Sequence, residues 1–271
     1  MLKNRILVPT NFSGQAEIAL RQSVYFAGKT GAEVILLHVI PSLKMIDNSS
    51  DSIDAIQKRL INLAELCASD QGIRIHTRIE CGKVIPQILA VEKEVKPSYI
   101  FIGTDSSSSA FSSTTIKLID KVDCPVVVLA GRFDKMGCNK IVLPLDLTKE
   151  TKQKVDLTIK IAKIYGSSVH IISATSFTDE IQCDKIKEQI KQVKQFFDKQ
   201  EINCVTELLK TKNDIEVMAN AINDYADDIK ADLIVIMTRQ ENPVQKLIIG
   251  SMATKLIKKA NVPILCVRPK L

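Results

Sequence analysis

The chain is written twice. KNRILVPTNFS at residues 3–13 returns as CNKIVLPLDLT at residues 138–148. Pro9 and Pro144, Ala27 and Ala162, Gly31 and Gly166, and Val34 and Val169 all stand 135 positions apart. Near the end of each half, DCPVVVLAG (123–131) is echoed by NVPILCVRP (261–269), now at an offset of 138. A drift of three residues over a half is a matter of loop lengths. The period is too long for a solenoid, whose units run to roughly 20–50 residues, and it is the size of a whole domain. Two tandem domains are therefore expected, 1–132 and 138–271. The stretch GRFDKMGCN (131–139) between them is short.

Composition narrows the class. Apolar residues make up 45% and charged residues 25% of the chain, ordinary values for a globular protein. No apolar run approaches the ~18 residues of a membrane span, and the first residues lack the pattern of a signal peptide. The seven cysteines (67, 81, 124, 138, 183, 204 and 266) form no CxxC pair. They read as buried reduced thiols, which points to the cytoplasm. The formal charge of +6 comes largely from lysines on helix faces, such as Lys185, Lys187, Lys191, Lys194 and Lys199. With no Arg/Lys run interleaved with aromatics, neither nucleic acid nor membrane is an expected partner.

Along each half, short apolar runs alternate with helical patterns. The first half reads as strands at 5–9, 33–40, 73–81, 99–103 and 125–130, with helices at 16–29, 51–69, 85–95 and 113–122. The second reads as strands at 140–144, 168–174, 202–209, 233–237 and 263–267, with helices near 149–165, 180–199, 214–229 and 251–260. EVILLHVI (33–40) is apolar throughout, as a strand covered on both faces should be. Residues 73–81 alternate instead, as suits an edge. Strand–helix alternation gives βαβ units and a parallel sheet. Right-handed crossovers then favour a doubly wound sheet of order 3-2-1-4-5.

Ligands of such sheets sit at the carboxyl ends of the strands where the winding reverses, between strands 1 and 4. That rule alone selects the loops 9–14 and 103–113 in the first half and 144–149 and 237–251 in the second.

These segments, in this order, resemble the universal stress protein family in its tandem form. The resemblance rests on ILVPTNFS, GAEVILLHV, YIFIGT, LIVIMT and the endings CPVVVL and VPILCV, and it covers nearly the whole chain. It implies two Rossmann-like domains (adenine nucleotide alpha hydrolase-like), packed as an intramolecular pseudo-dimer. In the nucleotide-binding branch of that family, strand 1 ends in an Asp near the adenosine. The loop after strand 4 carries G-x2-G-x9-G-(S/T), whose glycines let backbone amides approach phosphates at a helix N-terminus.

Each half keeps the pattern in pieces. In the first, Asn11 stands at the Asp position, Gly103 at the first glycine, Ser106 at the second, and Ser112-Ser113 at the Gly-Ser pair. Only residues 107–111 lie between, where the pattern has nine. In the second, Asp146 is present and the spacing to Gly250-Ser251 is intact, but Met237 and Gln240 replace the first two glycines. The resemblance thus implies binding residues Pro9, Thr10, Asn11, Val39, Gly103, Thr104, Ser106, Ser112 and Ser113 in the first half, and Asp146, Gly250 and Ser251 in the second. Gly103 is expected to leave room for the ligand. ATP or AMP is expected in the first half at most, with the second half serving as a structural partner.

No catalytic constellation emerges: there is no P-loop, no GxSxG and no HExxH. The SGGxDS loop of the similar ATP pyrophosphatases is absent too. His38, His76 and His170 fall within strands and read as structural, and no metal site is expected. The expected function is a non-catalytic, cytoplasmic stress-response protein with degenerate adenine-nucleotide sites and protein partners the sequence does not name. A weak ATPase activity and further homo-oligomerisation stay open. The alternative is a protein-interaction module that binds no nucleotide.

Overall fold

The computed structural model describes residues 4–41, 52–68, 72–104, 111–130, 135–145, 151–176, 180–238 and 250–269. The chain divides into two compact units, Met1–Met136 and Gly137–Leu271. In the first unit the elements run β1 (Arg5–Thr10), α1 (Gly14–Thr30), β2 (Glu33–Ile40), α2 (Ile53–Ala68), β3 (Ile75–Cys81), α3 (Val84–Val95), β4 (Tyr99–Thr104), α4 (Phe111–Lys121) and β5 (Val126–Ala130). In the second they run β6 (Lys140–Pro144), α5 (Thr151–Tyr165), β7 (Ser168–Thr175), α6 (Glu180–Asp198), β8 (Cys204–Lys210), α7 (Ile215–Asp228), β9 (Leu233–Met237), α8 (Ser251–Lys259) and β10 (Ile264–Val267).

The first unit's strands lie in the order β3-β2-β1-β4-β5, and the second's in the equivalent order β8-β7-β6-β9-β10. Neighbouring strands within each unit are parallel. Each unit is therefore a doubly wound α/β domain with its first strand in the middle. The winding reverses between β1 and β4, where Ile6 faces Tyr99, and between β6 and β9, where Ile141 faces Leu233. The expected fold class and strand order stand.

Burial follows position in the sheet. Ile6, Leu7 and Val8 of central β1 are fully buried, as are Ile141, Val142 and Leu143 of central β6. Each such side chain contributes roughly 1.5–3 kcal/mol by leaving water. The outer strands β3 and β8 are half-exposed along most of their length. Helix α1 starts and stops where local chemistry says it should. Ser13 caps α1 by accepting the Ala16 N–H. Gly31 ends α1 in the left-handed conformation at φ 65°, its N–H returning to the Ala27 carbonyl. Asp232 is buried but satisfied, because its carboxylate accepts the N–H groups of Asn139 and Lys140 at 2.6 and 2.9 Å.

Two sequence-based expectations need correction. The cysteines are free, but only Cys67, Cys138 and Cys266 are buried. Cys81 is exposed and Cys124, Cys183 and Cys204 are half-buried; Cys81 and Cys204 sit on the outer strands β3 and β8, while Cys183 is on α6 and Cys124 lies just before β5. The second correction concerns Gly103 and belongs to the site. No described helix is long and apolar enough to cross a membrane.

Candidate functional site

At the carboxyl ends of β1 and β4 lies a cleft of ≈ 500 Å³. That is within the roughly 300–1,000 Å³ range of ligand pockets. Its floor and walls include Pro9, Thr10, Asn11, Val39, Gly103 and Thr104, so the structure brings these six expected residues together. Ser106 and Asp146 lie outside the described residues, as does Gln240. Ser112 and Ser113 fall in the first turn of α4.

The turn between β1 and α1 is fixed by its own side chains. Asn11 Oδ1 accepts both the N–H and the hydroxyl of Ser13, at 3.1 and 2.6 Å. Thr10 Oγ1 accepts the Phe12 N–H at 3.0 Å. These bonds hold Phe12 at φ 61°, a conformation a bulky residue adopts at some cost. The Phe12 ring lies 4.6 Å from the His38 ring and has the Arg59 guanidinium 4.3 Å from its centroid on α2. His38 Nδ1 donates to the Thr10 carbonyl at 2.9 Å. In the second unit, Ser173 Oγ donates to the Leu145 carbonyl at 3.0 Å in the same place. Asn11 and His38 are thus working structural groups at the rim of the cleft.

Gly103 has a different reason than the one expected. A Cβ there would stand 1.9 Å from the Gln15 carbonyl oxygen and 2.7 Å from the Ala16 nitrogen. The room it leaves is taken by the backbone of α1, which lies directly on β4. Sequence reasoning missed Thr115 and Leu118 of α4, both buried in the cleft wall. Their spacing of three on an amphipathic helix is the signal that places them inward.

The second unit has a counterpart pocket at the ends of β6 and β9, and it measures only ≈ 80 Å³. The linings correspond in sequence. Pro144 stands for Pro9, Ala174 for Val39, Met237 for Gly103 and Leu256 for Leu118. Lys154 of α5 also lines it, though it is only 3% exposed, and its Nζ donates to the Pro144 carbonyl at 2.5 Å. Gly250 precedes α8 with no side-chain cap, and a Cβ there would meet only the Thr238 oxygen at 3.9 Å. Ser251 is exposed in the first turn of α8.

Elsewhere, titratable groups are occupied by packing. His170 Nδ1 lies 2.9 Å from the Tyr225 hydroxyl. Burial, and then the Lys140 charge, lower the His170 pKa. His76 sits 3.7 Å from the Glu33 carboxylate. Burial pushes the Cys67 and Cys266 thiols up, away from thiolate chemistry. Among the described residues, no group of three or more His, Cys, Asp or Glu is placed to hold a metal ion.

Two stretches of the chain, residues 3–130 and 137–268, match the model of the Universal stress protein family. A universal stress protein of Methanocaldococcus jannaschii is 28% identical over 143 residues, spanning 48% of this chain and 81% of that protein. The crystal structure of a universal stress protein from Archaeoglobus fulgidus superposes with a TM-score of 0.77 at 18% identity, covering 100% of both chains. At that identity the likeness speaks for the fold. The structure of the universal stress protein from Archaeoglobus fulgidus in complex with dAMP matches 49% of this chain and 99% of its own, at 23% identity and a TM-score of 0.41. Since the family's pattern accounts for both halves, from the first strand of one to the last strand of the other, this chain belongs to the universal stress protein family.

Proposed function

We propose that the first unit binds one adenine nucleotide in the cleft between β1 and β4, and that the protein is a non-catalytic, cytoplasmic stress-response regulator whose partner binding responds to that nucleotide. The observation that carries this reading is the cleft itself. It is ≈ 500 Å³ in volume, lies where the winding reverses, and is lined by Pro9, Thr10, Asn11, Val39, Gly103 and Thr104. Its described wall offers threonine hydroxyls and the Asn11 amide but no Lys or Arg. Recognition would therefore rest on the nucleoside, which favours AMP over ATP. The binding of dAMP by a universal stress protein from Archaeoglobus fulgidus is a property of that protein.

The test is equilibrium dialysis of the full chain against labelled AMP and ATP. The expected result is one AMP per chain, held more tightly than ATP. Binding of neither nucleotide at millimolar concentration overturns the reading and leaves the interaction module without nucleotide.

A further inference from the structure

We infer that Lys154, acting with Met237, is the residue pair that closes the second pocket to nucleotide. The inference rests on the reading of the first cleft as a nucleotide site, of which the second pocket is the counterpart. The two pockets share a plan but measure ≈ 500 and ≈ 80 Å³. The smaller value is far below the roughly 300 Å³ at which ligand pockets begin.

The cause is a pair of coupled replacements. In the first unit, Gly103 lets the opening turn of α1 lie on β4, with its backbone where a Cβ would be. At the corresponding place in β9 stands Met237, whose side chain cannot pass under a helix that close. Correspondingly, α5 packs less extensively on β9 than α1 does on β4. The next inward position on the helix is Ala19 in the first unit, fully buried. Its counterpart 135 residues on is Lys154. An alanine there could not reach across the wider gap. The lysine does, carrying its apolar stem into the pocket and its ammonium to the Pro144 carbonyl at 2.5 Å. That carbonyl lies at the carboxyl end of β6, where the first unit presents Pro9 to its cleft. The second unit thus fills its own site with a cation from its own helix. Among the described residues, the blocking elements are one strand residue and one helix residue.

The test uses the full chain, the double variant Lys154→Ala/Met237→Gly and a milder fallback, Lys154→Ala/Met237→Ala, with bound AMP per chain read by equilibrium dialysis and folding checked by circular dichroism. The double variant is expected to double the bound AMP, from one to two per chain. A folded double variant that takes up no more than the wild type overturns the inference. If the wild type binds none and the double variant binds one, the inference stands and the reading of the first cleft falls. If neither binds, both fall. Should the double variant not fold, the milder Lys154→Ala/Met237→Ala carries the test. Uptake above the wild type supports the plug, and uptake equal to the wild type overturns it.

Discussion

The carboxyl end of the first sheet and the carboxyl end of the second are the same place in the same fold, yet one is an open cleft and the other is filled. The strand orders are equivalent and the framing residues Pro9 and Pro144 correspond. The carbonyl at the carboxyl end of each central strand is even bonded from the same position of the next strand, by His38 in one unit and Ser173 in the other. The difference lies in what stands between sheet and helix. In the first unit it is Gly103 under a backbone. In the second it is Met237 beneath a helix that sends down Lys154. A doubly wound sheet supplies the location of a site, and a few side chains at the strand–helix interface decide whether the location is usable.

The sharpest way to break this comparison is to put bulk into the first unit. Gly103→Val should lower stability by about 4 kcal/mol in urea unfolding, because the clash is with helix backbone that cannot turn aside. A loss below about 1 kcal/mol would mean that α1 does not lie where the comparison needs it. The reciprocal change, Met237→Gly, removes a buried side chain and should cost about 3 kcal/mol by the same measurement, through the cavity and the freed backbone. Asn11→Ala removes the acceptor for both Ser13 groups and should cost about 1 kcal/mol in thermal unfolding. Asn11→Asp keeps the acceptor and should stay within about 0.5 kcal/mol.

A smaller effect distinguishes the units by pH. His170 resists protonation in the folded chain because burial and Lys140 oppose the charge. Its folded pKa lies below its unfolded one, so the unfolded chain binds more protons and stability rises with pH. The contribution is complete above the ordinary histidine value near 6.5 and is lost as pH falls toward the folded pKa. His170→Gln should flatten that acid-side loss as pH falls below about 6.5, measured as unfolding midpoint against pH. An unchanged slope would remove His170 as its source. Gly250→Ala should be smallest of all, within about 0.5 kcal/mol, since the added methyl meets only one atom at ordinary contact distance.

Much of this architecture was legible without coordinates. The repeat pointed to a duplicated fold, and apolar runs such as EVILLHVI marked strands that the structure places within about two residues of the expected ends. The place of the cleft was legible, because the reversal of winding is a topological property. The role of Gly103 was not. A glycine at a ligand-binding loop and a glycine under a helix look alike in one sequence, and only the 1.9 Å approach of Gln15 separates them. Lys154 was missed because lysines on helices usually face water. Its position opposite Ala19 in the repeat carried the warning, since an inward-facing slot on an amphipathic helix had changed from methyl to ammonium.

The burial of Lys154 also makes it a clock. Among the described residues it is the only buried lysine, so amine-reactive reagents should acylate it last. To react, its nitrogen must leave the Pro144 carbonyl and reach solvent, which requires α5 to lift from the sheet. Where that lifting is fast compared with acylation, the labelling rate of this single amine, read by mass spectrometry beside the surface lysines of α6, reports the free energy of opening of the second unit.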